Sequence, residues 1–282
     1  MENKYNSFRI VADSAADLFA LNNVPFSSAP LKIITDEKEF CDNKDINVAE
    51  MVDYLKTYKG KSTSSCPNPD EWLKAFGDSQ YIFAVAITSG LSGSFNAAMA
   101  AKEIYETEHP DRRVFVIDSL SAGPGEAIIV EKLEELITDG KDFDTISKEI
   151  IEYKEKTGLL FVLQSLTNFA NNGRISPAVA KIAGLLGICI VGKASDQGTL
   201  QPLDKCRGLK KSLDAILGNL IANGFNGGKI RIAHCFNENG ANELKFKILE
   251  RFNTADIEIH KTQGLCSFYA EKGGILVGYE TI

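Results

Sequence analysis

The stretch Tyr81 to Asn96, YIFAVAITSGLSGSFN, constrains the fold more than any other part of the chain. Tyr81 to Ile87 is a short apolar run rich in β-branched and aromatic residues, which suits a strand buried on both faces. Thr88 to Ser94 then gathers hydroxyls and glycines into one turn, and from Phe95 the pattern FNAAMAAKEIYE predicts a helix. A strand that ends in such a turn and feeds a helix aims free backbone N–H groups and side-chain donors at one point in space. That point suits an anion.

Two further stretches have the same build. Phe8 to Asp13 reads as a first strand ending in Asp13-Ser14, and Arg113 to Asp118 as a third ending in Ser119-Leu120-Ser121-Ala122-Gly123. In an open parallel sheet these turns collect along the carboxyl edge, where ligands bind. Between them the sequence predicts a short helix over Ser14 to Asn22, a hairpin from Ala29 to Ile34 and Glu39 to Cys41, and an amphipathic helix from Val48 to Tyr58. A second hydroxyl cluster, Ser62-Thr63-Ser64-Ser65-Cys66-Pro67-Asn68-Pro69, is expected to be irregular because of its prolines, and Asp70-Glu71 open the next helix. Helices at Gly125 to Thr138 and Phe143 to Lys156 close this half.

From Gly158 the pattern changes. It reads as a strand to Leu163, a short helix broken at Asn171-Asn172-Gly173, and two strands paired antiparallel around Ser195-Asp196-Gln197-Gly198. Helix at Leu209 to Ala222, strand at Lys229 to Cys235, helix at Glu238 to Phe252 and strands at Ile257 to His260 and Ile275 to Tyr279 follow. The expected fold is therefore α/β with two domains, each long enough to bury its own core. Residues 1–158 form a parallel-sheet α/β domain and residues 159–282 an α+β domain with a mixed sheet.

Composition and motifs exclude several functions. A net charge of -7 without a basic stripe argues against nucleic acid and anionic membranes as partners. The longest apolar run, Ile182 to Val191, is too short to span a bilayer and carries Gly184 and Gly187. The N-terminus is polar and reads as no signal peptide. The six cysteines are scattered without a C-x-x-C pair, as expected of reduced thiols in a cytoplasmic protein. Gly90-Leu91-Ser92-Gly93-Ser94 has its second glycine one place too early for a hydrolase elbow. The three histidines offer no base for a serine nucleophile: His109 lies in a charged loop, His234 inside a strand, and His260 at a strand end. Gly187 to Lys193 has phosphate-loop spacing, but its interior is β-branched strand and Ala194 stands where Ser or Thr would bind a metal. No compact metal-ligand cluster and no cofactor motif is visible.

What remains is a pair of donor-rich turns beside ample apolar sequence. Ser64-Ser65-Cys66-Pro67-Asn68-Pro69-Asp70-Glu71-Trp72 resembles the T-S-x-P-S-P-x-E-[FYW] signature of the DegV family, the bacterial fatty-acid-binding proteins. Thr88 to Asn96 resembles that family's S-S-x-L-S-G-T-[YF]. Asp13-Ser14, Asp118-Ser119, Asn172-Gly173-Arg174-Ile175-Ser176 and Gly273-Gly274-Ile275-Leu276 match further landmarks in the family's order. The resemblance covers essentially the whole chain.

It implies a non-enzymatic carrier that holds one long-chain fatty acid between its two domains, with no cofactor. The carboxylate-binding hydroxyls map to Ser64 and Ser92, with the Gly93 N–H as a third donor and Ser65 as a neighbour. Kinase-coupled members present the acid to a fatty-acid kinase, and Arg174 matches the arginine implicated in that partnership. Those members also carry a histidine where this chain has Tyr269. A phenol donates one hydrogen bond but is neutral at pH 7, which leaves carboxylate binding possible and puts the kinase coupling in question.

The energetics suit a carrier. At about 0.8 kcal/mol per buried methylene, a chain of roughly sixteen carbons gains on the order of 12 kcal/mol before ordering costs. Leu159 to Leu163 and Ile182 to Ile190 are the candidate tail lining, although such runs are ordinarily core. Singly, each turn serine is better explained as a helix cap than as a ligand; two such clusters and two Asp-Ser strand ends on one sheet edge shift the balance towards a site. Two alternatives stay open: a small-molecule transferase or hydrolase using a turn serine or Asp118, and a lipid-responsive sensor reporting through Arg174.

Overall fold

The computed structural model describes residues 5, 7–176 and 187–281. The stretch of the predicted lining from 182 to 186 lies outside the described residues.

The apolar runs of the first half form a parallel sheet. Strands β1 (Phe8–Asp13), β2 (Phe26–Ala29), β6 (Tyr81–Ala86) and β7 (Arg113–Asp118) lie in the order β2-β1-β6-β7, every pair parallel. The interior strands β1 and β6 are buried through most of their length because helices cover both faces. On one face Phe83 and Ile10 pack beneath α4 (Pro124–Thr138) and α5 (Phe143–Lys154). On the other, Ile82 and Ala84 meet α2 (Pro69–Phe76), with Trp72 and Phe76 fully buried, and α3 (Ser94–Glu108). Helix α2 starts on an Asn68 cap whose side chain accepts from Glu71 N while Glu71 accepts from Asn68 N.

A three-stranded flap, β4-β3-β5, stands beside this sheet, made of β3 (Lys32–Ile34), β4 (Glu39–Cys41) and β5 (Thr63–Ser65), with α1 (Val48–Thr57) following β4. It corrects three expectations. Ala29 to Ile34 is not one strand: Ala29 ends β2 in the main sheet, and the chain crosses to the flap at Lys32. Ser62 to Pro69 is not wholly irregular, because Thr63–Ser65 pairs with β3 before the prolines begin. The helix expected over Ser14 to Asn22 is a single 3-10 turn, Ser14–Ala16, stopped by Asp17 in the left-handed region at φ 58°.

The second half forms a six-stranded mixed sheet. Its order is β10-β9-β8-β13-β11-β12, from β8 (Thr157–Leu163), β9 (Ile188–Ala194), β10 (Leu200–Arg207), β11 (Lys229–His234), β12 (Asp256–Lys261) and β13 (Ile275–Glu280). Only β11 and β12 run parallel; the other neighbours are antiparallel. Helices α7 (Leu209–Ala222) and α8 (Glu238–Arg251) bury Leu213, Ile216 and Leu244 on one face. The opposite face carries Leu159, Phe161, Leu163 and Leu276. That face looks towards the first sheet, and α6 (Thr167–Asn171) and α9 (Gly264–Ala270) complete its rim.

Candidate functional site

A cavity of about 280 Å³ opens where the carboxyl edge of the parallel sheet meets the apolar face of the mixed sheet. Its size is at the low end of the range for small-molecule pockets. The first half contributes turns, among them Ser64 to Cys66, Thr88 and Leu91 to Gly93. The second contributes strand side chains, chiefly Leu159, Phe161, Leu163, Leu200 and Leu276. One wall is thus donor-rich and the other hydrocarbon.

The donors converge at one end. Ser64 Oγ, on β5, and the Tyr269 hydroxyl, on α9, lie 2.7 Å apart across 205 residues of sequence. Burial pushes the Tyr269 phenol above its ordinary pKa, against the opposing pull of the Ser64 hydrogen bond and the nearby Arg174 charge. It is a neutral donor at pH 7. Ser92 Oγ accepts from Ser94 N at 3.3 Å, which leaves its own O–H to donate. Gly93 is the N-cap of α3 and provides no side-chain cap, so that helix end is open to an acceptor. A Cβ on Gly93 would stand 3.3 Å from Cys66 Sγ, and the Gly93 amide lies close enough to that sulfur to favour its thiolate. Ser65 also lines the cavity.

Arg174 lines the cavity too, but its guanidinium is engaged. Nε donates to Leu91 O at 3.1 Å and Nη1 to Asn172 O, tying the loop after α6 to the Ser92 turn. Asp118 Oδ1 accepts from Ser89 N and Leu120 N, both at 3.1 Å, and so braces two turns of the sheet edge.

Buried carboxyls stand beneath this edge. Asp13 Oδ2 accepts from Ile87 N at 2.9 Å and from Ser94 Oγ at 2.6 Å, holding the end of β6 to the start of α3. Burial drives its pKa up to about 6. Asp42 accepts from Ser14 Oγ, Gly264 N and Leu265 N, so a residue beyond β4 caps the helix that carries Tyr269. Burial raises it to about 6 as well. Asp17 Oδ1 accepts from Gln263 N at 2.8 Å, which is the reason the chain turns left-handed there. Glu126, in the first turn of α4, is fully buried with neither carboxyl oxygen hydrogen-bonded, and burial together with Asp13 and Asp17 holds it well above the usual carboxylate range. The one available signal was Asp13-Ser14 at a strand end; Asp42 has none, since its partners Ser14, Gly264 and Leu265 are distant in sequence, and Glu126 reads as an ordinary first-turn glutamate.

The other candidates fall away from the cavity. His234 is buried and accepts from Asn237 N, and His260 sits beside Glu258 on an outer strand. Of Ile182 to Ile190, the described residues 187–190 do not line the cavity; Ile190 packs into the apolar layer behind it. Among the described residues no group of three or more His, Cys, Asp or Glu is placed to hold a metal ion, and no helix is long and apolar enough to cross a membrane. The six cysteines are free.

Comparison with known proteins agrees with this geometry. The family described as "Uncharacterised protein, DegV family" matches residues 7–281. A DegV domain-containing protein of Streptococcus pneumoniae is 45% identical over 97% of this chain and 99% of its own. The crystal structure of a DegV family protein from Eubacterium eligens, loaded with heptadecanoic acid, superposes with a TM-score of 0.96 at 46% identity, covering 98% of this chain and 100% of the other. The Streptococcus pneumoniae Fatty Acid Kinase (Fak) B3 protein loaded with linoleic acid gives 0.95 at 44% identity, covering 98% and 99%. With a match along almost its whole length, the chain belongs to the DegV family.

Proposed function

We propose that this protein binds one long-chain fatty acid between units 1–158 and 159–282 and carries it, without catalysing a reaction itself, to a fatty-acid kinase in the cytoplasm. The observation that carries the reading is the hydroxyl pair Ser64 and Tyr269, 2.7 Å apart in the lining of a largely hydrocarbon-walled cavity. The carboxylate is held by the O–H groups of Ser64, Ser92 and Tyr269 and by the Gly93 N–H, with Ser65 alongside. Such neutral donors offset the partial desolvation of a carboxylate without a cation. The chain then buries its methylenes against Leu159, Leu163 and Leu276. Arg174 is the residue assigned to the kinase contact. The heptadecanoic and linoleic acids of the two similar proteins support the ligand class, and the Fak B3 description supports the partner.

Native mass spectrometry of the purified protein, followed by denaturation and lipid extraction, tests the reading. A mass excess that extracts as a fatty acid of about sixteen to eighteen carbons is expected. Ser92→Ala should weaken its retention by roughly thirtyfold, the worth of one hydrogen bond to a charged group. A protein that carries no lipid and takes up none when it is offered overturns the reading.

A further inference from the structure

The face of the mixed sheet that lines the cavity is built from cross-strand pairs of β8 and β9. In register these include Leu163 with Ile190, a large side chain on each strand, and Phe161 with Gly192. The second pair is different: Phe161 has no side chain opposite. Its ring occupies the place where a β-carbon of residue 192 would stand, which would lie 2.4 Å from Phe161 Cζ and 2.6 Å from Cε2. On its other side Phe161 is paired with Leu276 of β13, itself a wall residue. Leu159 and Leu163 flank it along β8 on the same face. The ring has three occupied sides and one bare one, and it lies over the bare one.

Gly192 therefore has a role that neither turn geometry nor positive φ explains. It is a mid-strand residue whose missing side chain lets the Phe161 ring lie down along the sheet. A side chain at 192 would press on the ring from one side and on the Gln201 carbonyl of β10 from another, and the ring borders the cavity. Phe161 is 4% exposed yet lines the cavity, so a small displacement of its ring changes the cross-section open to a ligand.

We propose that Phe161, lying over Gly192, is the specificity-determining residue of the acyl channel: its ring position sets the length and bend of the chain that fits. The proposal rests on the fatty-acid reading above. It makes Gly192 a positioning residue for Phe161; a β-carbon there would also stand 2.7 Å from the Gln201 carbonyl oxygen of β10, so Phe161→Leu is the variant that isolates the ring.

The test is a binding series with tetradecanoic, hexadecanoic and cis-9-octadecenoic acids on the wild type, Gly192→Ala and Phe161→Leu. Gly192→Ala should lose the octadecenoic acid by roughly tenfold or more relative to tetradecanoic acid, as the ring is forced into the channel. Phe161→Leu should shift the ratio the other way, by about threefold or more, because it removes the ring from the same place. It also keeps the proposal testable if the crowded Gly192→Ala chain fails to fold, which circular dichroism would show. A wild type that binds the series while Phe161→Leu keeps the wild-type ratios overturns this inference and leaves the carrier reading standing. A wild type that binds none of the acids overturns the carrier reading, and this inference with it.

Discussion

The two walls of the cavity are built by opposite means. The donor wall is assembled from several kinds of element: the turn after β6 carries Ser92 and Gly93, flap strand β5 carries Ser64, and helix α9 brings Tyr269 to it. The hydrocarbon wall comes from the antiparallel part of the mixed sheet, whose strand side chains face the space. Beneath the donor wall the scaffold spends carboxyls instead of hydrophobes: Asp13, Asp42 and Asp17 each accept backbone N–H groups that would otherwise be orphaned. The lesson is that a polar cradle needs a polar foundation, whereas an apolar one is supported by ordinary core.

The sharpest way to break this division is to put a charge in the wrong wall. Leu163 is 1% exposed on the apolar face, and Leu163→Asp should cost several kcal/mol, enough to lower the thermal midpoint by more than 10 °C or prevent folding. A midpoint within a few degrees of the wild type would mean that this face is wetter than its packing implies.

The carboxyl foundation gives the next largest effect, as a pH dependence. Asp13 and Asp42 titrate near 6 when folded and near 3.8 when not, so each binds its proton more tightly in the native state. Their contribution to stability is complete below about 4 and is lost as the pH rises through 6. Each should therefore make the protein about 1 kcal/mol more stable at pH 5 than at pH 7, and Asp17 and Glu126, raised further, add with the same sign. The surface carboxylates Asp142 and Asp144, which are lowered, lose their contribution only below that window. Urea unfolding at the two pH values would show it, and Asp13→Asn should flatten the slope. Stability that instead falls on going from pH 7 to 5 would contradict the burial assigned to these groups.

The smallest effect sharpens the donor wall itself. A cycle of Ser64→Ala, Tyr269→Phe and the double variant should show a coupling of about 1 kcal/mol in fatty-acid affinity, since the two hydroxyls share one hydrogen bond. Strict additivity would mean that they act on the ligand separately.

Much of this arrangement was legible from the sequence, and unevenly so. The unit Tyr81 to Asn96 was readable because strand, turn and helix are contiguous and each has a strong local pattern. Ser64 and Ser92 were picked out through the family resemblance, since a hydroxyl cluster alone reads as a helix cap, and both line the cavity. Thr63–Ser65 as a strand was not, because three residues are too few for a periodicity and the prolines that follow mask it. Phe26–Ala29 hides for a related reason: FSSA on an edge has little apolar content to mark it. Asp17 looked helical because nothing nearby announces that its carboxylate is needed at Gln263, 246 positions away. Long-range pairing is where local pattern has no power.

One feature of the mixed sheet bears on when the cavity can exist at all. One of its two central strands, β13 between β8 and β11, is Ile275–Glu280, at the far end of the described chain. Until that segment has left the ribosome, β8 and β11 have no strand to join them, and the face that carries Phe161 and Leu276 is incomplete. Closing contacts across more than 100 residues is slow compared with local helix formation. A nascent chain can thus build its first sheet before β13 exists, but it has nowhere to put a hydrocarbon tail until β13 has joined β8 to β11, which makes loading wait on the pairing of that one strand.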